Sequence, residues 1–337
     1  MANKGNRLNL GEHLVAEDYL VSENGLFYAI MQLDGNFCIY RGSGPENSYG
    51  GLWCSGTPKY GDMRYYLRVE NKGKICIYRP EDPMDPDCNT PQWCSGKNGD
   101  TDNYFAYLEN DGNLCIYKQR DTGNINTWCN GKTDPIKDII IDSIDYDVQN
   151  GKILQSVPTE LAHQDLKNDT GIEQSAVVEL NESVTETSGW SDTLGIKVGV
   201  STTFKTGIPI LAQGNITVSA EVNNSYTWNG STSNTKAWKY SVPSKIPPKT
   251  EILCLFSVTI STISVPYILN GTAILKSGAK VPIKVSGFYT GKNSHDLEVK
   301  WVSKDFSTGE IISKVEKIDD MDISEIVSKD KKIANID

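Results

Sequence analysis

Along much of this chain apolar and polar residues alternate one by one, and long stretches of helical period are scarce. Successive side chains of a strand point to opposite faces, so a period of two predicts strands. The stretch MQLDGNFCIY, residues 31–40, sets Gln32, Asp34, Asn36, Cys38 and Tyr40 on alternate positions. Read as one strand, it presents two amides, a carboxylate and a phenol side by side, where a core wants apolar groups.

A second alternating stretch, LGIKVGVSTTFKTGIPILAQGNITVSAEV, covers residues 194–222. Its first arm sets Leu194, Ile196, Val198, Val200, Thr202 and Phe204 against Gly195, Lys197, Gly199, Ser201, Thr203 and Lys205. Its second arm sets Ile216, Val218, Ala220 and Val222 against Asn215, Thr217, Ser219 and Glu221. Between them TGIPIL, with Ile208, Pro209 and Ile210, predicts a turn with an apolar tip. Twelve strand residues at about 3.3 Å each span roughly 40 Å; tilted by about 40° they rise roughly 30 Å, the hydrocarbon thickness of a bilayer. The charges of the arms, Lys197, Lys205 and Glu221, fall on the polar face. A half-buried hairpin of a β-sandwich shows the same alternation.

A third pattern is a repeat. CIY recurs at Cys38, Cys76 and Cys115, and Trp-Cys follows each time, at Trp53-Cys54, Trp93-Cys94 and Trp128-Cys129. Each unit reads as short strands between Gly, Asn, Asp and Pro turns. One such unit cannot bury a core; three around a pseudo-threefold axis can. The three Trp are the expected central filling. The repeat stops near residue 131, residues 130–138 read as a linker, and longer Thr-, Ser- and Val-rich strands follow.

Composition narrows the function. The chain has 337 residues, room for two or three domains, and 29 Gly, as an all-β protein with many turns would. A net charge of −10 argues against a nucleic-acid partner and against polybasic attraction to anionic lipid. No apolar run is long enough for a membrane helix. The N-terminus lacks an apolar signal core, so the expectation is secretion without a visible signal peptide, or cytosolic or vesicular storage until release. There is no metal-binding or phosphate-loop motif and no nucleophile elbow, and His13, His163 and His295 are far apart and read as surface residues. Neither an enzyme nor a cofactor or metal is expected. Sequons begin at Asn168, Asn181, Asn215, Asn223, Asn229 and Asn270. The charged tail, residues 316–337, reads as a solvated end or as an activation segment removed at Lys314, Lys317 or Lys329.

The motif Q-x-D-x-N-x-x-x-Y, threefold, resembles the bulb-type (lily-type) mannose-binding lectins, whose fold is a β-prism. The first repeat keeps it whole in Gln32, Asp34, Asn36 and Tyr40; the third keeps most in Glu109, Asp111, Asn113 and Tyr117. The second, with Glu70, Lys72, Lys74 and Tyr78, has lost it, and no sugar is expected there. The resemblance implies that these side chains bind the hydroxyls of mannose-containing glycans. The family usually has Val where this chain has Cys38, Cys76 and Cys115. Threefold recurrence favours the disulfides Cys38–Cys54, Cys76–Cys94 and Cys115–Cys129, which would make a disulfide the floor of each site; the alternative is six small buried thiols. Cys88 and Cys254 look unpaired.

The second half, residues 139–315, resembles the aerolysin-type pore-forming proteins, natterin-like proteins among them, in SGWSDTLGIKVGVSTTFKTGIPILAQGNITVSAEVNNSYTWNG and KYSVPSKIPPKTEILCLFSVTIST. The resemblance implies an all-β chain: a β-prism lectin over residues 1–132, a linker at 133–138, an elongated aerolysin-like sheet over 139–315, and the tail. It also implies a function: binding to a glycan on a target lipid membrane, assembly of a ring-shaped homo-oligomer, and insertion of the 194–222 hairpin as a β-barrel. The alternative is a non-lytic defence lectin whose β-rich half is an assembly module.

Overall fold

The structure, a computed structural model, describes residues 1–58, 65–79, 90–96, 98–194, 196, 202–220 and 225–318. Among them there are only strands and one 3₁₀ turn, Val148–Asn150. The chain divides into two compact units, one of Met1–Ser143, Leu194–Thr202 and Leu269–Val285, the other of Ile144–Thr193, Thr203–Ile268 and Ser286–Asp337.

The repeats build three antiparallel sheets of four strands. The first comprises Tyr19–Val21, Phe27–Met31, Phe37–Gly44 and Asn47–Cys54. The second comprises His13–Val15, Tyr66–Glu70, Lys74–Tyr78 and Trp93–Cys94, and the third Arg7–Asn9, Tyr104–Leu108, Leu114–Lys118 and Ile125–Cys129. Each repeat supplies three strands, and the N-terminal segment lends the fourth to all three sheets, in reverse order of the repeats. These three-residue strands follow a polar–Leu–polar or aromatic–Leu–apolar pattern, and their central residues Leu8, Leu14 and Leu20 are no more than 2% exposed. Burying each contributes about 2 kcal/mol. The core is filled by such aliphatic residues with Phe27 and Phe37, both 0% exposed. Trp53, Trp93 and Trp128 are only half-buried, which corrects the expectation that they fill the centre. Trp53 and Trp93 touch at 5.9 Å between ring centroids.

The polar stretch of the first repeat is not a strand. Met31 and Phe37 form the last ladder pair; Gln32 N then donates to Asn36 O at 2.9 Å and Gly35 N to Gln32 O at 3.1 Å. Gln32 to Asn36 is a tight loop, with Gly35 at φ +82° where a side chain would be strained and would meet the Tyr65 ring. Residues 109–113 turn the same way, Glu109 N to Asn113 O at 2.9 Å and Gly112 N to Glu109 O at 3.1 Å. Alternation arose because a two-strand face and the loop joining it share one polar side.

In the second half a seven-stranded sheet runs in the order Ile136–Tyr146, Thr250–Leu275, Lys280–Asp305, Gln174–Asp192, Ser231–Ile246. Lys152–Asn168 also pairs with Thr250–Leu275, and Ile311–Ile318 with Lys280–Asp305. The segment read as a linker is tied down: Ile136 already begins a strand, and Asp134 is 2% exposed. Its carboxylate accepts from Arg41 Nε and from the backbone N and hydroxyl of Ser277, while its own N donates to Asp111 O.

The strand Thr250–Leu275 buries its even-numbered residues up to Val258 and its odd-numbered ones from Ser261 on. At that crossover lies a polar chain, in which Ser156 Oγ and Ser261 Oγ are 2.7 Å apart. Ser261 Oγ reaches His295 Nε2 at 2.8 Å, and His295 Nδ1 reaches Asp296 at 2.8 Å. His295 is 4% exposed, which corrects its reading as a surface residue. With Nδ1–H facing the neighbouring carboxylate, the Ser261 hydroxyl donates to Nε2, and Ser156, Ser261 and His295 each have a partner.

Candidate functional site

Each sheet of the first unit carries the same corner on its outer face. In the first, Gln32 Nε2 donates to Tyr40 Oη at 2.9 Å. Tyr40 stacks on Tyr28 at 5.3 Å between centroids, and burial raises the pKa of Tyr28. Asp34 and Asn36 stand in the adjoining loop. One Asp34 oxygen accepts from Asn36 N at 2.9 Å. Asn36 Oδ1 is used by Ser55 Oγ, Gly56 N and Thr57 N at 3.0, 3.1 and 3.2 Å, so the segment after Cys54 clamps the loop. What the corner offers a ligand is one Asp34 oxygen, the Gln32 carbonyl oxygen, the Asn36 amide protons, the second Gln32 proton and the Tyr40 hydroxyl proton. That set of fixed donors and acceptors suits vicinal hydroxyls.

The third sheet repeats the corner with its polarity reversed. Tyr117 Oη donates to Glu109 Oε1 at 2.6 Å, and Tyr117 stacks on Phe105 at 5.4 Å. Burial first, and then the bond to Glu109, raise the pKa of Tyr117. Asp111 caps Asn113 N at 3.0 Å, and Asn113 Oδ1 accepts from Gly131 N at 3.0 Å, as Asp34 and Asn36 do in the first.

The second corner is filled by the chain itself. Tyr78 Oη donates to Glu70 at 2.8 Å, and Arg68 Nε meets the same oxygen at 2.8 Å. The Arg68 guanidinium lies 4.7 Å above the Tyr78 ring. Burial alone would lower the pKa of Arg68; Glu70 more than offsets it. Here Lys72 and Lys74 replace the Asp and Asn of the first loop.

The disulfides Cys38–Cys54, Cys76–Cys94 and Cys115–Cys129 all form, between residues directly opposite each other with Cα–Cα distances of 4.1, 4.2 and 4.1 Å. Cys38 Sγ lies 3.3 Å from Gln32 Oε1; being oxidised, it has no proton to donate. Cys254 is a buried free thiol, and Cys88 lies outside the described residues. Sequence reasoning missed the stacking partners Tyr28, Tyr66 and Phe105, the clamp at Ser55 and Thr57, and Arg68. The aromatic spacing, 38 and 39 residues like that of the CIY cysteines, was the available signal.

The hairpin differs from its expectation. Pro209–Ala212 pairs with Asn215–Val218, Leu211 opposite Ile216, through a two-residue loop of Gln213 and Gly214 at φ 49° and 77°. This is a tight left-handed hairpin turn. The turn is therefore Gln213-Gly214, which is polar; Pro209 and Ile210 lie in a strand and Ile208 precedes it. Left-handed backbone is cheap for Gly214 and unavailable to Pro209, and that places the turn. Lower down, Thr203–Phe204 pairs with Tyr226–Thr227. Leu194 and Ile196 are not in strands, and Ile196 is 6% exposed. Val198, Val200 and Val222, with Lys197 and Glu221, lie outside the described residues. In the second arm Ile216 is half-buried, Val218 is 47% exposed and Ala220 is exposed.

Two groups hold the hairpin. Phe204 packs edge-on against Trp190 at 5.1 Å, and Tyr226 meets Trp190 at 5.0 Å. Higher up, Asn293 Oδ1 accepts from Leu211 N at 3.3 Å and its Nδ2 donates to Leu211 O at 3.1 Å, a side-chain amide in place of a neighbouring strand.

Fold and site define a class: an all-β chain with a lectin-like threefold region followed by a toxin-type β module. Residues 124–320, more than half of the chain, match the sequence model of the family Clostridium epsilon toxin ETX/Bacillus mosquitocidal toxin MTX2, and the chain belongs to that family. A lectin-type protein of Acanthamoeba polyphaga mimivirus is 40% identical over 76 residues, 23% of this chain and 33% of that protein. Natterin-1 of Thalassophryne nattereri is 22% identical over 156 residues, 45% of this chain and 44% of that protein. The chain thus spans less than half the length of these curated relatives. Among solved structures, a monomeric mannose-binding lectin of Gastrodia elata is 25% identical, covering 38% of this chain and 96% of its own, at a TM-score of 0.30. The lamprey immune protein is 16% identical, covering 93% of this chain and 96% of its own, at a TM-score of 0.41. The aerolysin-like protein of Bombina maxima is 13% identical, covering 52% of this chain and 97% of its own, at a TM-score of 0.33.

Proposed function

We propose that this protein is a sugar-targeted pore-former. The corner of Gln32, Asp34, Asn36 and Tyr40 binds mannose-type glycans on a target membrane. Copies of the chain then assemble, and the segment between residues 194 and 222 joins a β-barrel. A lone hairpin cannot enter lipid, because its edges would leave backbone groups unpaired; several copies closing into a barrel can. Division into residues 1–132 for sugar, 139–315 for the pore and the tail beyond follows the same reading. The observation that carries it is the placing of an outward, pre-organised Gln32–Tyr40 corner in a chain whose remainder belongs to a toxin family.

The packing of Phe204 and Leu211, at 9% and 4% exposure, favours a second reading, a non-lytic lectin whose hairpin is a fixed part of its fold. Dye release from liposomes bearing high-mannose glycolipid, with and without free mannose and after mild trypsin, separates the two. Release blocked by mannose supports the first. Binding without release under any of these conditions leaves the second. Release that ignores mannose keeps the pore and discards the sugar.

A further inference from the structure

The three corners are one device in three states, and the second shows what the third accepts. Ile30, Arg68 and Tyr107 occupy the same position, opposite Cys38, Cys76 and Cys115 in their sheets. The second and third corners share a Glu–Tyr pair, Glu70–Tyr78 and Glu109–Tyr117, with Tyr Oη donating to Glu Oε1 at 2.8 and 2.6 Å. In the second, a cation seated on the aromatic ring completes the pair: Arg68 NH2 is 2.8 Å from the Glu70 carboxylate, with the guanidinium over Tyr78. In the third, Tyr107 stands in the cation's place and turns its hydroxyl to Asn6 at 3.1 Å. Arg7 is close by but is committed elsewhere: it lies over Phe105 and donates to Asn9 and Gln119. Among the described residues Glu109 makes no ion pair, and its second oxygen has no partner.

The polarity of the hydrogen bonds points the same way. At the first corner the amide donates to Tyr40, which leaves the phenol proton for a ligand. At the third, the phenol proton is spent on Glu109 and the Tyr117 oxygen is met by Asn126, so the second oxygens of Glu109 and Asp111 face a ligand as acceptors. Only a ligand rich in donors satisfies them. Glu109 and Glu23 together raise the pKa of Tyr107, after burial, so the local field is negative.

We infer that the third corner binds an amino sugar, a hexose whose protonated amine sits against Glu109 and the Tyr117 ring as Arg68 sits against Glu70 and Tyr78. This rests on the lectin reading of the first corner and gives the third a different ligand from the same scaffold. The amine supplies a charge-assisted bond to Glu109 and a cation over an aromatic face. Asp111 and Asn113, set like Asp34 and Asn36, take the ring hydroxyls.

The test uses the full chain and titrates D-glucosamine, N-acetyl-D-glucosamine and D-mannose by calorimetry. Glucosamine should bind about fivefold tighter than its neutral N-acetyl form, since a charge-assisted bond is roughly twice as strong as a neutral one. Glu109→Gln should remove that preference, and Tyr107→Arg should abolish glucosamine binding by supplying an internal cation. Retained melting temperature in both variants shows that the fold survives. Affinity should also fall at alkaline pH as the sugar amine loses its proton. Equal binding of glucosamine and its N-acetyl form, or a preference that survives Glu109→Gln, overturns the inference. Mannose binding that Asp34→Ala abolishes, with no glucosamine binding, overturns the inference and leaves the lectin reading intact. If none of the three sugars binds, both fall together.

Discussion

Asn293 is where the pore hypothesis meets a measurable number. Its carboxamide makes two hydrogen bonds to the backbone of Leu211, at 3.3 and 3.1 Å, and Asn293 and Leu211 are 9% and 4% exposed. Replacing it by Ala leaves a buried backbone N–H and C=O without partners. Two net hydrogen bonds are worth about 1 kcal/mol each, and stranding buried groups raises the loss to about 2–4 kcal/mol in all. That penalty falls on the closed hairpin alone, because an open hairpin has water at both groups. The equilibrium for local opening should shift by a factor of about 30 to 1000, since about 1.4 kcal/mol is tenfold. Native-state hydrogen exchange of the Leu211 amide reads this directly, and opening of this kind is what such exchange measures. If release of the hairpin limits pore formation, dye release should accelerate in the same variant. Unchanged exchange across residues 209–218 would refute the claim that Asn293 holds the hairpin. Faster exchange with slower or unaltered dye release would instead show that release is not the limiting step. Asn293→Asp is a useful companion, since it keeps the acceptor for Leu211 N and loses the donor to Leu211 O.

Other expectations follow from buried polar groups. Burial would raise the pKa of Asp134, but hydrogen bonds from Ser277 and Arg41 outweigh it and hold the carboxyl below its ordinary value. A depressed pKa contributes stability above the unfolded value of about 3.9 that is lost as pH falls through the folded one, so the melting-temperature gap between wild type and Asp134→Asn should close in acid. Burial pushes the Cys254 thiol up to about 12, so a thiol reagent should leave Cys254 unmodified in the native protein and label it on unfolding, as peptide mapping would show. Asn168 is fully buried, with Nδ2 serving the carbonyls of Ile172, Ile246 and Pro247 and Oδ1 accepting from Thr170. Asn168→Ala should cost about 3 kcal/mol in denaturant unfolding. Mass spectrometry of protein made in a secretory host should find the folded chain's Asn168 without glycan, although it heads a sequon.

Local signals in the sequence determined a good deal. Period-two alternation gave strands because side-chain direction is set within a residue or two. A repeat of CIY and Trp-Cys gave three equal units, and the same recurrence favoured the cysteine pairs that the structure forms, since equal units fold alike. The meeting of Gln32, Asp34, Asn36 and Tyr40 was legible because one loop and its two strands carry all four. Tertiary structure decided whatever depends on residues far apart in the chain. Leu8, Leu14 and Leu20 look like any scattered Leu until each becomes the edge strand of a different sheet. Arg68 reads as a strand residue until Tyr78 and Glu70 close around its guanidinium. His295 and Ser261 are 34 residues apart and meet only where the sheet exchanges its buried face. The hairpin turn went to Gln213-Gly214, not to the apolar GIP, because a two-residue turn needs left-handed backbone, and hydrophobicity carries no information about φ.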